Sequence, residues 1–189
     1  LVGYDHDSLG GWDVKTGERL WRLVPPAKGD FNVPTPVAVS SGIIVSTENN
    51  GTRLYRFDES GRIISKPAAE FAGLSPDTVT PVATCGRLFG AHLGLHCLDV
   101  QESLDSVWRR DDDTLGDYAT LIADDDRVLV ITVRGELILL DGKADECAII
   151  SRLRIFEDDV EVYSHPALVG KRLYARGGSS VVCVDLGTD

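Results

Sequence analysis

Several things are scarce in this chain, and each scarcity excludes something. There is no methionine, and position 1 is Leu1, so a piece of a longer protein is expected. No apolar run approaches the roughly 20 residues that a membrane-spanning helix needs, so no membrane span is expected. The first residues have neither the basic start nor the apolar core of a signal peptide. Positive charge is short: 19 Lys and Arg stand against 30 Asp and Glu, a net charge of −11. That disfavours nucleic acid as a partner, because phosphate binding needs clustered Lys and Arg. It disfavours an anionic membrane surface for the same reason. The four cysteines, Cys85, Cys97, Cys147 and Cys183, form no C-x-x-C pair, so neither a zinc site nor a thioredoxin-like motif is indicated. Small buried strand residues are the preferred reading of all four. No stretch longer than one helical turn carries apolar residues at i, i+3, i+4 and i+7, so helices should be few. A G-x-S-x-G elbow, a P-loop and an H-E-x-x-H motif are all missing.

What is present is a repeat. Hydrophobic content of 43% and charged content of 26% describe a soluble globular chain. The stretch Gly11-Trp12-Asp13-Val14-Lys15-Thr16-Gly17-Glu18-Arg19-Leu20-Trp21 reads as strand, tight turn and returning strand, and degenerate copies follow it. The strand-ending aspartate recurs at Asp58, Asp99, Asp141 and Asp185, at spacings of 45, 41, 42 and 44 residues. Two other markers keep this register. Thr35, Thr80, Thr120 and His165 open successive units, and Arg87, Arg127 and Arg172 precede the second strand of theirs. A period of this length indicates the blades of a β-propeller.

The expected fold is all-β, with four-stranded antiparallel blades. Residues 1–34 read as a partial blade and 165–189 as another. Residues 35–79, 80–119 and 120–164 read as complete blades of one propeller. About four and a half blades are expected. The second unit is expected to run Pro36–Ser40, Ile43–Thr47, Leu54–Asp58 and Arg62–Ser65, followed by a long loop from Pro67 to Val79. Positions four and one before each repeat Asp are apolar and differ by three, so both faces of that strand should be buried.

Gly11-x-Asp13-x-x-Thr16-Gly17-x-x-x-Trp21 resembles the tryptophan-docking motif of pyrroloquinoline-quinone (PQQ)-like propellers, with Gly11 in place of the family's Ala. Asp99 followed by Trp108 keeps a partial copy. The resemblance implies that Trp21 and Trp108 dock one blade on the next. It is specific for fold and weak for function. Full-length members of the family commonly have seven or eight blades, so the resemblance implies part of a seven- or eight-bladed ring. The family includes quinone-dependent alcohol and sugar dehydrogenases, a periplasmic lipoprotein that helps insert outer-membrane barrels, and sensor domains attached to kinases. It thus implies an extracytoplasmic location, periplasmic or secreted. The dehydrogenases hold their quinone with an adjacent Cys-Cys pair and a calcium site. This chain has no adjacent cysteines, so no cofactor is expected in this segment.

Most chemistry-bearing residues have a structural reading. The repeat aspartates Asp13, Asp58, Asp99, Asp141 and Asp185 fit turns, where Asp accepts backbone N–H bonds. His92 and His96 are four apart, but Gly94 lies between them in a strand turn, so helical metal-site geometry does not apply. Asp111–Asp113 and Asp124–Asp126 read as solvated acidic turns and not as calcium loops, since neither has the EF-hand spacing. No metal or catalytic residue is expected. In a propeller, the loops between blades and the loops between the middle two strands share one face. That face is where a ligand is expected, and the candidates on it are Glu48, Asn49, Asn50, Arg53, Asp77, Asp117, Tyr118 and Tyr163. The leading expectation is a non-enzymatic scaffold for a protein partner or small ligand. The alternatives are part of a quinone-dependent dehydrogenase, or a sensor propeller attached to a kinase or membrane module. An open half-ring has two uncovered blade faces, so either self-association of half-rings or cover by blades outside this sequence is expected.

Overall fold

Short β-branched runs separated by Gly, Asn and Asp turns build the whole molecule. The computed structural model describes residues 1–187 apart from 102, 112, 113, 115–117 and 157–159. Among the described residues there are eighteen β-strands and no α-helix. The first sheet holds β1 (Val2–Tyr4), β2 (Leu9–Trp12) and β3 (Arg19–Leu23). The second holds β4 (Val37–Val39), β5 (Gly42–Thr47), β6 (Gly51–Tyr55) and β7 (Ala69–Phe71). The third holds β8 (Val82–Thr84), β9 (Arg87–Ala91), β10 (Leu95–Asp99) and β11 (Ser106–Arg110). The fourth holds β12 (Ala119–Asp124), β13 (Arg127–Thr132), β14 (Glu136–Asp141) and β15 (Ile149–Arg154). The fifth holds β16 (Ala167–Val169), β17 (Arg172–Gly177) and β18 (Ser180–Asp185). In every sheet the strands lie in chain order, and each neighbouring pair is antiparallel.

The sheets stack face to face through four separate apolar clusters. Leu9 of the first sheet meets Ile43, Val45 and Tyr55 of the second. Ile44 and Leu54 of the second meet Leu88 and Leu98 of the third, with Leu74 between them. Phe89, Leu95 and Cys97 of the third meet Val128, Val130, Ile138 and Leu140 of the fourth. Leu129, Ile131 and Leu137 of the fourth meet Leu173 and Ala175 of the fifth. The opening strands β4, β8 and β12 of successive sheets approach one another, which sets them toward a common axis. Radial stacking of small antiparallel sheets is the architecture of a β-propeller, here five sheets of three or four strands.

A one-residue bulge recurs at one place. The pairing of the last two strands shifts between Gly11 and Trp12, between Cys97 and Leu98, and between Leu139 and Leu140. In each case the shift comes just before the repeat Asp. A bulge adds twist and bends the strand, so the first, third and fourth blades turn at the same level. Trp21 pairs with Gly11 and Trp108 with Cys97, one step before the bulge. A Cβ added to Gly11 would sit 2.3 Å from the Trp21 ring, so the ring lies directly on a glycine. Trp21 then reaches Phe57 of the next sheet, with ring centroids 6.0 Å apart. Trp108 reaches across the third sheet to Phe89 at 5.9 Å and packs on the cluster shared with the fourth.

The structure corrects three expectations. The outer strand of the second sheet is Ala69–Phe71, within the stretch read as a loop, and Arg62–Ser65 is not a named strand. Ile63 makes an isolated bridge with Phe57, and Ile64 N–H donates to the Arg56 carbonyl. The ladder then breaks and resumes where Ala68 N–H donates to Leu54. Pro67 has no N–H with which to continue it. Burial on both faces is not uniform. Four residues before the repeat Asp, Leu54, Leu95 and Leu137 are buried against the next sheet, whereas Val181 in the same register is 67% exposed, with no further sheet among the described residues. One residue before it, Phe57 is exposed although its ring meets Trp21 of the first sheet. Finally, Cys85 and Cys183 are exposed, and only Cys97 is fully buried. Cys85 sits in a turn at φ 54°. Cys183 shares the register of Cys97, but among the described residues no further sheet covers it. Burial pushes the Cys97 thiol up to about 12, so it packs as a small apolar group.

This asymmetry predicts a contrast between equivalent positions. Leu95→Ala should cost about 2–5 kcal/mol in chemical denaturation, the range for an emptied core site. Val181→Ala should cost less than about 0.5 kcal/mol. Equal losses would mean that another sheet covers the fifth blade in solution.

Candidate functional site

The five repeat aspartates are turn braces. Asp13 accepts from the backbone N–H of Lys15 and Thr16, and Asp58 from those of Ser60 and Arg62 and from the Ser60 hydroxyl. Asp99, Asp141 and Asp185 each accept from the N–H two residues on. The Thr16 backbone N–H is the main influence lowering the Asp13 carboxyl, and the Ser60 hydroxyl plays that part for Asp58. A carboxylate so engaged, one per blade, has no partner for acid–base chemistry.

Those turns lie at one end of the sheets. At the other end lie the turns β1–β2, β5–β6, β9–β10, β13–β14 and β17–β18, together with the loops that pass between sheets. Five concavities among the described residues open on this second end. Three of them are joined by two tyrosines. Tyr118 lines a cleft of about 230 Å³ with Glu48, Ser75, Asp77 and His92. Tyr118 and Tyr163 both line the next, with Thr78–Thr80 and His165. Tyr163 also lines the third, of about 610 Å³, with Val133, Arg134, Glu161 and Gly178. The two rings meet edge to face, with centroids 5.7 Å apart and planes at 80°. The result is a trough running over the second to fifth blades.

Its side chains are held in place. The Tyr118 hydroxyl donates to Asp77 Oδ2 at 3.0 Å. Asp77 Oδ1 accepts from the Thr78 N–H at 2.7 Å. Ser75 Oγ and His92 Nε2 lie 3.1 Å apart. That pair resembles a nucleophile and its base, but no carboxylate among the described residues bonds the other His92 nitrogen, so the third member of a triad is not in place. The turn after His92 is strained. Leu93 takes φ 49°, unusual for a bulky residue, and its carbonyl accepts from Arg109 at 3.1 Å. Its side chain is 61% exposed.

Of the candidates read from the sequence, Glu48, Asp77, Tyr118 and Tyr163 come together in this trough. Asp117 lies outside the described residues, as do Asp112 and Asp113. Asn49 and Asn50 are engaged elsewhere. Asn49 N–H donates to Asp30 at 2.7 Å. Asn50 exchanges bonds with the Ala27 backbone and also donates to Asp30. Both therefore pin the loop that follows β3. Arg53 is a correction: it is 2% exposed and turned into the joint with the first blade. Its guanidinium donates to the hydroxyls of Tyr4, Tyr55 and Thr47 at 3.2–3.3 Å. Ser75, His92 and Leu93 lie in the loops Pro67–Val79 and Ala91–Gly94 that the sequence assigns to this face, but it does not single them out as ligand contacts. The only signal was negative, a leucine where a turn favours Gly or Asn.

No group of three or more His, Cys, Asp or Glu among the described residues is placed to hold a metal ion. Asp124–Asp126 forms part of a turn in which Asp126 pairs with Arg127 and Lys143. His6 is exposed beside Asp7. No helix of the described residues is long and apolar enough to cross a membrane.

Comparison with solved structures gives the same architecture. BamB from Moraxella catarrhalis superposes with a TM-score of 0.69 at 15% identity, over 98% of this chain and 57% of that one. Hsv2p from Kluyveromyces lactis superposes with a TM-score of 0.67 at 14% identity, over 96% of this chain and 57% of that one. The shared fold is the β-propeller. The chain spans little more than half the length of these structures. No model of a known protein family and no curated protein sequence matches it.

Below the cleft lies a buried histidine. His96 is 1% exposed, beside Phe71. Its Nε2 lies 3.0 Å from the His92 carbonyl and must carry the hydrogen, which leaves Nδ1 as an acceptor without a partner. Burial first, and the nearby Arg109 charge second among the lowering influences, hold the His96 pKa below its usual value. A depressed histidine contributes stability above its unfolded pKa of about 6.5 and loses it as pH falls toward the folded value. Denaturation midpoints should therefore drop on acidification from about pH 7 to pH 5, with a shallower slope in His96→Gln. Equal slopes would show that His96 does not titrate in this window.

Proposed function

We propose that this chain is a non-enzymatic propeller scaffold that binds a protein partner on the face carrying the trough. One observation carries the reading: concavities, exposed tyrosines and the apolar Leu93 tip gather on one end of the sheets, while the repeat aspartates brace the other. Rigid sheets that display variable loops on one face are suited to recognition. The resemblance of the Asp13–Trp21 motif supports an extracytoplasmic setting. The exposed Val169 and Val181 face is fit to be covered by a second copy or by further blades of a longer protein; if this chain pairs, light scattering should return twice the mass of one chain. A monomer mass would refute that pairing.

The scaffold reading is tested against catalysis. The chain should show no dye-linked oxidation of alcohols or sugars when PQQ and calcium are added, and no heat of PQQ binding in calorimetry. Turnover that depends on the quinone would overturn the reading.

A further inference from the structure

Building on the scaffold reading, we propose that the cleft between Glu48, Asp77 and Tyr118 seats a lysine or arginine side chain from an extended segment of the partner. The cleft is lined by Glu48, Ser75, Asp77, His92 and Tyr118, with no Lys or Arg. Neither carboxylate has a cationic partner among the described residues. Elsewhere on the chain Asp5, Asp145, Asp111 and Glu136 are each paired with an arginine. Among the described residues Glu48 receives only the amide of Asn49, at 3.2 Å. Asp77 is oriented by the Thr78 N–H and the Tyr118 hydroxyl, and neither of these neutralises it. The bond from Tyr118 also fixes an aromatic ring beside the two carboxylates, and Tyr163 fixes that ring from its far side. Two carboxylates and an aromatic ring form a seat for an organic cation. An anion would be repelled, and an apolar group would desolvate two uncompensated charges.

The surroundings favour a polypeptide over a free amine. Leu93, 61% exposed on its strained turn, stands next to His92 on the rim of the seat. Tyr163, 62% exposed, continues the trough toward Val133 and Gly178. An acidic seat flanked by apolar groups along a trough fits a basic side chain followed by aliphatic ones in an extended segment. The net charge of −11 draws such a segment toward the face.

The test is a titration of the isotope-labelled chain, followed by backbone amide NMR shifts. The probe is a blocked hexapeptide with one arginine between leucines. The comparators are the same peptide with glutamine for arginine, and spermidine. The arginine peptide should move the amides of Ser75, Asp77, His92 and Tyr118 saturably, more weakly at high salt. The glutamine peptide should bind less tightly. Glu48→Gln and Asp77→Asn should each weaken the arginine peptide roughly threefold to fivefold, and Tyr163→Ala should weaken it too. Glu48 lies on a surface turn, so Glu48→Gln tests the seat even if Asp77→Asn disturbs its loop. Equal binding of the arginine and glutamine peptides, or unchanged binding in Glu48→Gln, would overturn the proposal. So would spermidine filling the cleft as tightly as the peptide. Peptide shifts elsewhere on the same face would overturn the basic seat and leave the scaffold reading standing. Quinone-dependent turnover would instead sink the scaffold reading itself.

Discussion

Everything in this molecule depends on one constraint: a four-stranded sheet of five-residue strands cannot bury both of its faces alone. Each blade borrows its core from the next, through Leu54 against Leu88, Leu95 against Val128, and Leu137 against Leu173. The bulge before the repeat Asp sets the twist that lets neighbouring sheets nest. Trp21 and Trp108 then close the outer part of two joints. Beyond the fifth blade the described residues supply no neighbour, and there the same apolar register is uncovered at Val169 and Val181.

Much of the architecture was legible because it is periodic. Asp13, Asp58, Asp99, Asp141 and Asp185 mark the ends of equivalent strands, and an Asp that caps its own turn is a local event that sequence can announce. The outer strand of the second sheet was not legible. Arg62–Ser65 has the composition of a strand, but Pro67 interrupts its ladder, and the later Ala69–Phe71 takes over the pairing with β6. Burial at Val181 was misread for another reason: it depends on which neighbours surround a blade, and a residue's own period does not report that.

The trough shows the limit of loop reading. Sequence placed Glu48, Asp77, Tyr118 and Tyr163 on one face because blade topology dictates which loops share it. It could not separate them from Asn49, Asn50 and Arg53, which lie on the same hairpin as Glu48 or beside it. The difference is tertiary. The loop after β3 folds over Asn49 and Asn50, and Tyr4 draws Arg53 into the joint with the first blade. The pairing of Ser75 with His92 had no signal, because a serine and a histidine in turns are ordinary until a fold puts them 3.1 Å apart.

The four apolar clusters are separate, so the chain behaves mechanically as a row of hinged plates more than as a single block. In such an array stability is a sum of plate and hinge contributions, and fraying begins where a plate has one hinge only. The trough lies across three of these hinges, from the turn at Glu48 to the turn at Gly178. Whatever settles along it works as a clasp. It resists the splaying of four plates at once, and its binding energy appears as rigidity in the fifth blade, a plate that the described residues hinge on one side only.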